Sequence, residues 1–267
     1  MLQRVITGIV SAVILIAVML VRGWVLRLSL TVISVWGMSE MFDAFQRAGH
    51  LPIRWPCHVA AALIIPAHLL LGDRAMLPML TLVLLLTMIN ITVREQPHWP
   101  DAGLGLYAAF TVLLPSMMLI EICAVKPENL GAWLCFGTFF IALLGDTFAF
   151  FVGITWGKRK LNPHLSPNKT VEGSMGGLVG SMAAGLLLWY LGGLSTAMPP
   201  LWEMIALGLV GGIAGQMGDL SASLVKRWCS VKDFGVVFPG HGGIMDRFDS
   251  IFFTAYVVYA FCALVIR

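Results

Sequence analysis

One short polar stretch carries most of the side chains that could do chemistry in this sequence. It begins at Asp219 and ends at Asp249, and it interleaves carboxylates, cations, histidine and glycine in a chain that is only 12% charged. Cations can hold phosphate oxygens, and carboxylates can hold the divalent cation that accompanies phosphates. The alternative is a solvated loop whose charges only set membrane topology, but that role needs no interleaved Asp, His and Gly. The candidate phosphate ligands are Lys226, Arg227, Lys232 and Arg247.

Three aspartates at the two ends of this stretch indicate a metal site. Asp219 lies four residues before Ser223 and seven before Lys226, so a continuing helix would line them up on one face. Asp246 and Asp249 are three apart and share a face of the next helix. Three carboxylates in a partly buried site repel one another unless a cation neutralises them. Because hard oxygen ligands suit magnesium better than zinc, we predict Mg²⁺ here and leave open whether a second cation binds.

A glycine pair lies between these carboxylates. Gly242 and Gly243 follow His241 directly and give a backbone that can bend tightly round a phosphate. His241 is a candidate proton shuttle, although its glycine neighbours favour a positional role at least as strongly.

A second polar segment follows the apolar run that contains Asp146. An ionisable group at that depth in a membrane is costly and usually faces a cavity or a partner. Lys169 lies just before a predicted helix start near Val171. Thr170 or Ser166 can cap that helix, and its free N–H groups would attract a phosphate beside Lys169.

Both segments contain motifs of many specified residues. The longer one reads Ser223-Leu-Val-Lys226-Arg227, then Lys232-Asp233, then His241-Gly-Gly-Ile-Met-Asp246-Arg247-Phe-Asp249. The shorter ones read Asp146-x-x-Ala-Phe and Ser166-Pro-x-Lys169-Thr-x-Glu-Gly. Together they resemble the signature of the phosphatidate cytidylyltransferases, the CDP-diacylglycerol synthases, which are integral membrane enzymes.

The resemblance implies transfer of a cytidylyl group from CTP to phosphatidate, with release of pyrophosphate, in phospholipid biosynthesis. The residues alone support only metal-assisted chemistry on phosphates at the cytoplasmic face. We assign Asp219 and Asp246 to magnesium, with Asp249 and Asp146 as helpers, and Lys169 to phosphate. One alternative is a CTP-dependent lipid kinase, or a synthase that uses another lipid phosphate. A transporter is less favoured, since it would place charges near the midplane in two matching halves, and here they gather at one face.

The composition indicates a membrane protein. The chain is 58% hydrophobic, with a mean hydropathy of +0.87, whereas soluble domains are about 45–50% apolar. We predict an all-α integral membrane protein, a single polytopic domain over 1–267, with helices of unclear role in 1–125 and catalytic helices in 130–267. The first apolar run lacks a convincing cleavage site and is interpreted as a membrane helix rather than a signal peptide. About nine transmembrane helices are predicted, over 4–22, 24–43, 56–72, 75–92, 103–122, 130–153, 173–192, 201–222 and 250–266.

The positive charges favour a cytoplasmic N-terminus, because most of the 17 lysines and arginines then lie inside. Both polar segments then face the cytoplasm, where nucleoside triphosphates are found. Lys158–Lys160 are interpreted as part of this orientation signal or as a contact to anionic lipid. We expect location in the inner (plasma) membrane, with CTP, phosphatidate and membrane lipid as partners, and no nucleic acid.

The remaining features are interpreted mainly as structural. Glycines four apart in the seventh and eighth spans predict close helix packing and not a nucleotide-binding loop, and they are compatible with a homodimer. Glu40 and Asp43 are either a substrate-facing pair or carboxylates that simply meet water. The five cysteines are scattered and predicted to be packing residues. No metal-ligand spacing relates the histidines at positions 50, 58, 68 and 98.

Overall fold

The protein is built from long helices and one short hairpin. The computed structural model describes residues 17, 18, 21, 23–238 and 242–266. The first four helices are α1 (Gly23–Arg47), α2 (Trp55–Leu71), α3 (Met76–Thr92) and α4 (Trp99–Ala124). They are followed by α5 (Glu128–Trp156), β1 (Lys160–Asn162), β2 (Ser166–Thr170), α6 (Val171–Gly193), α7 (Leu201–Trp228) and α8 (Met245–Ile266).

Six of the described helices are long and apolar enough to cross a membrane, namely α1, α4, α5, α6, α7 and α8. Helices α2 and α3 are equally apolar but have 17 residues each. At 1.5 Å per residue they extend about 25 Å, slightly less than a hydrocarbon core of about 30 Å. The chain is therefore a multi-pass helical membrane protein. Eight of the nine predicted segments coincide with α1–α8, and the ninth, 4–22, lies almost entirely outside the described residues.

Helix α4 contains a local irregularity at a proline. Five residues, Ala109–Leu113, form a π-helical turn just before Pro115. Proline has no N–H to donate, and its ring crowds the carbonyl four residues earlier. A wider turn relieves that crowding without ending the helix.

The chain divides into two compact units. The first comprises Met1–Ile120 with Lys226–Phe248, and the second comprises Glu121–Val225 with Asp249–Arg267. In the first unit α1 supplies fully buried core residues, including Phe42 and Phe45. The ring of Phe45 packs edge-on against Trp228, with 6.1 Å between the ring centroids. The end of α7 is thereby anchored to the core of the first unit.

Glycines bring the helices of the second unit into backbone contact. A Cβ atom added at Gly180 of α6 would lie 2.6 Å from the carbonyl oxygen of Leu144 in α5. One added at Gly212 of α7 would lie 2.5 Å from the hydroxyl oxygen of Ser181 in α6. No side chain fits at such distances, so these glycines confirm the prediction that the glycine strips pack helices.

A hairpin replaces the predicted loop between α5 and α6. Strands β1 and β2 are antiparallel, with Lys160 opposite Thr170 and Asn162 opposite Ser166. The side-chain oxygen of Asn162 accepts the N–H of His164 at 3.2 Å and fixes the turn. Strands of three and five residues are too short to show a clear period of two, so they were not predicted.

Candidate active site

In the second unit an ion pair joins the polar segment after α5 to α7. Thr170 ends β2 and caps α6, because its hydroxyl oxygen accepts the N–H of Gly173 at 3.1 Å. This cap confirms the predicted helix start at Val171. It also fixes Lys169, whose ammonium group pairs with the Oδ2 atom of Asp219 on α7. Residues 50 positions apart in sequence therefore meet at one point.

A cavity of about 510 Å³ opens beside this pair. Its size falls in the range of about 300–1,000 Å³ that is usual for ligand sites. The wall is apolar at Phe150, Ile154 and Leu161. Polar side chains also line it, namely Asp146, Asn168, Lys169, Ser174, Gln216 and Asp219. The cavity therefore suits a ligand with one ionic part and one apolar part.

Gln216 fixes the polar wall of the cavity. Its amide nitrogen donates to the carbonyl oxygen of Ser174 at 3.0 Å, and its amide oxygen accepts from the Ser174 hydroxyl. These two bonds link α7 to α6 one turn before Asp219. Gln216 was not predicted as a site residue, because an amide within an apolar run shows no ligand spacing.

Glu172 has a structural task in the first turn of α6. Its carboxylate accepts the backbone N–H groups of Lys158 at 3.0 Å and Arg159 at 3.1 Å. These bonds hold the chain that leaves α5 against the start of α6. The backbones of Lys158 and Arg159 are thus engaged, while both side chains are exposed.

In the first unit, Asp246 organises the loop between α7 and α8. This loop, residues 229–244, is called the signature loop, and residues 239–241 within it lie outside the described part. The Oδ1 atom of Asp246 accepts from the ammonium group of Lys226 at 2.8 Å. Its Oδ2 atom accepts the N–H groups of Phe234 at 2.8 Å and Gly243 at 2.9 Å. The side chain is only 4% exposed, so this carboxylate is enclosed by its own partners.

The signature loop is also closed by its own backbone. Phe238 and Gly242 form an antiparallel bridge, with a 2.9 Å bond from the Phe238 N–H to the Gly242 carbonyl. Gly242 has a φ of +84°, a conformation that favours glycine. The glycine pair therefore bends the chain, as predicted. His241 lies outside the described residues, and its role stays a prediction.

A second carboxylate, missed as a site residue, reaches the signature loop from α1. Glu40 is 6% exposed, and its Oε2 atom accepts the N–H of Met245 at 3.0 Å. The two residues are 205 positions apart, so no spacing rule could pair them. Of the two alternatives for Glu40 and Asp43, contact with water fits only Asp43, which pairs with Arg54 at the surface.

The other predicted site residues lie at the ends of α7 and α8. Asp249 is buried in the second unit, and its Oδ1 atom accepts the N–H of Ser250 at 2.7 Å. Ser223 is partly buried in α7, which continues unbroken to Trp228. Three of the predicted phosphate ligands are exposed, namely Arg227, Lys232 and Arg247. The joint magnesium site of Asp219, Asp246 and Asp249 stays a prediction.

Two histidines and an aspartate form a cluster that sequence spacing did not reveal. Ligand atoms of His50, His98 and Asp101 lie within 4.8 Å of one another, the one such group of potential metal ligands among the described residues. Asp101 is already engaged, by the Leu51 N–H at 3.0 Å and the Arg94 guanidinium at 3.3 Å. The geometry is that of a hydrogen-bonded cluster which ties the loop after α1 to the start of α4.

Comparison with known proteins identifies the family of this chain. Residues 2–265 match the model of the family described as the Cytidylyltransferase family. The chain belongs to this family. It is 33% identical to a phosphatidate cytidylyltransferase of Brucella abortus, over 97% of this chain and 93% of that protein. It is 31% identical to phosphatidate cytidylyltransferases of Bacillus subtilis (99% and 98%) and Staphylococcus saprophyticus (94% and 95%).

For this cytidylyltransferase we predict that Asp246→Asn loosens the signature loop. An amide cannot accept on both of its ends, so Lys226 or the N–H groups of Phe234 and Gly243 lose a partner. Losing one charged hydrogen bond costs about 1.5–3 kcal/mol, so protease cleavage within the loop should become about tenfold faster or more. Limited proteolysis of the purified protein in detergent measures this directly.

Asp233→Asn is the matched control for this cleavage assay, because Asp233 is an exposed acid in the same loop. Its cleavage rate should equal that of the unmodified protein. Equal rates for both variants would show that Asp246 does not hold the loop.

Proposed function

We infer that the chain transfers a cytidylyl group from CTP to phosphatidate, forming CDP-diacylglycerol and releasing pyrophosphate. The relatives that match over nearly their whole length carry this activity in their names. One structural observation supports it most directly. The Lys169–Asp219 pair lines a cavity that is also lined by apolar side chains, among them Phe150 and Ile154. A lipid phosphate likewise combines an anionic group with acyl chains.

The reaction needs no nucleophile from the protein. A phosphate oxygen of phosphatidate attacks the α-phosphorus of CTP, and the bond from that phosphorus to the bridging oxygen breaks. Pyrophosphate leaves with the electron pair of that bond. The protein must therefore hold two anions together and neutralise the charge that develops between them. In this proposal Lys169 neutralises phosphate charge in the second unit, and Lys226, Arg227, Lys232 and Arg247 are the other predicted phosphate ligands.

Magnesium belongs to the proposal, since the residues beside the cavity fit a hard cation. The Asp219 carboxylate lines the cavity and pairs with Lys169 through one of its oxygens. Asp146 lines the same cavity, and the backbone of Asp249 packs against Gly218 next to Asp219. Oxygen donors of this kind would hold Mg²⁺, which supplies charge neutralisation at phosphate oxygens.

Asp246 fits a metal less directly. Its Oδ1 atom holds Lys226, and its Oδ2 atom holds two N–H groups of the signature loop. Its assignment as a metal ligand therefore requires Lys226 to take another partner. A bound phosphate is a suitable one, because an ammonium group donates to phosphate as well as to carboxylate.

Labelled CTP tests the proposed function. Purified protein is supplied with phosphatidate and with CTP labelled at either the α- or the γ-phosphate. We expect the α-label in the lipid product and the γ-label in pyrophosphate. Entry of the γ-label into lipid would indicate a kinase, and entry of neither label would indicate a transporter or another lipid phosphate as substrate.

We also predict that Lys169→Ala lowers activity by about two orders of magnitude, as the loss of one charge-stabilising group typically does. The Mg²⁺ concentration for half-maximal activity should not rise, because lysine cannot ligate a metal. Asp219→Asn should instead raise that concentration. Steady-state rates across a magnesium titration distinguish the two residues.

The matched controls are Lys158→Ala and Arg159→Ala, which each remove one positive charge from the segment between α5 and α6. Each should change the rate only a few-fold, since both side chains are exposed. Equal, small losses of rate at all three positions would indicate that this segment serves only to orient the protein in the membrane.

We also propose that the chain crosses a plasma membrane nine times, with its N-terminus and its site on the cytoplasmic side. This topology is supported by the distribution of lysine and arginine and by the need for CTP. A homodimer is supported by the resemblance alone. Gly180 and Gly212, which are compatible with a homodimer, pack against neighbouring helices of the same chain.

A cysteine at Val236 tests the orientation, because this residue of the signature loop is 90% exposed. In a chain stripped of its five native cysteines, Val236→Cys should resist an impermeant thiol reagent in intact cells. It should react once the membrane is opened. Labelling in intact cells whose outer membrane, if present, has been made permeable would place the loop on the other side and overturn the proposed topology.

A further inference from the structure

Glu40 is a buried carboxylate that the proposed reaction does not use. It lies on α1, and one of its oxygens, Oε2, accepts the N–H of Met245 at the first residue of α8. Its other oxygen, Oε1, is buried without a hydrogen-bond partner in the part of the chain that the structure describes. Burying a polar atom in this way costs free energy, so the surroundings must hold the carboxylate in place.

Two glycines of the signature loop form the slot that holds it. A Cβ atom added at Gly235 would overlap the Oε1 atom of Glu40, and one added at Gly243 would overlap Oε2. The three nearest atoms at both positions all belong to Glu40. Two segments of the loop therefore close on one carboxylate, and each contributes a glycine where the approach is too close for any side chain.

Asp246 binds the same two segments of the signature loop from a different position. It accepts the N–H groups of Phe234 and Gly243, which are next to or part of the glycine slot. The loop is thus held by two carboxylates, one from its own helix and one from α1. Met245, which Glu40 binds, directly precedes Asp246, so the two attachments act on adjacent residues of α8.

We propose that Glu40 is a positioning residue for the signature loop, and that its carboxylate fixes the start of α8 and the spacing of Gly235 and Gly243. Its side-chain oxygens contact Gly235 and Gly243 of the loop and Met245 of α8. Its effect on activity passes through the loop, which carries Lys232 and the glycine pair. That kinetic consequence rests on the proposed function, whereas the effect on loop order does not.

Hydrogen exchange by mass spectrometry tests the structural part independently of any activity. Glu40→Ala should raise exchange in peptides that cover residues 229–245 and leave the rest of α1 unchanged. Glu40→Gln should stay close to the unmodified protein, because an amide oxygen still accepts the Met245 N–H. The control is Asp43→Asn, an exposed acid one turn along the same helix, which should change nothing. Exchange that rises throughout the first unit, or not at all, would overturn the proposal.

Kinetics and a double substitution complete the test. Glu40→Ala should raise the KM for CTP about tenfold or more with a smaller change in kcat, since a displaced loop misplaces binding groups. Gly235→Ala should loosen the loop by itself, but add little in the Glu40→Ala chain, where the overlapping carboxylate is gone. Additive effects of the two changes on exchange would overturn the contact. Failure of the CTP assay alone would instead count against the proposed function.

Discussion

The carboxylate of Asp246 is the interaction on which the polar loop of the first unit depends. A loop between two apolar helices has few backbone partners of its own, yet its buried N–H groups still need acceptors. Asp246 satisfies those of Phe234 and Gly243 with one oxygen and neutralises Lys226 with the other. The same contacts fix the direction in which α7 ends and α8 begins. An apolar side chain of equal size would leave the cation and both N–H groups unsatisfied.

The second unit depends on close packing of its helices. Glycine at positions such as Gly180 and Gly212 lets backbones touch, so that α5, α6 and α7 enclose a cavity within one bundle. This proximity brings Lys169 to Asp219 and Ser174 to Gln216. Small residues therefore bring the helices close together, and polar residues form the contacts between neighbouring elements.

Hydropathy was enough to predict the helices, and local chemistry narrowed the cap of α6 to Thr170 or Ser166, because both signals lie within one short segment of the sequence. The site was predictable only as a set of residue types. The sequence suggested a phosphate site at Lys169 but could not show that its partner would be Asp219. Glu40 was harder still, since its contact with Met245 joins opposite ends of the chain and follows no spacing rule. The hairpin was missed because its strands span too few residues for a clear alternation of polar and apolar side chains.

Two of the three lysines predicted to bind phosphate are held by carboxylates, Lys169 by Asp219 in the second unit and Lys226 by Asp246 in the first. An ammonium group buried without a partner is costly, so these pairs keep the cations in place before any anion arrives. In the proposed reaction, a lysine that turned to a phosphate would leave its aspartate with a free oxygen and an unbalanced charge. A hard cation bound with the nucleotide would balance that charge. We therefore propose that phosphate binding and metal binding are coupled through the partners of Lys169 and Lys226, which are Asp219 and Asp246.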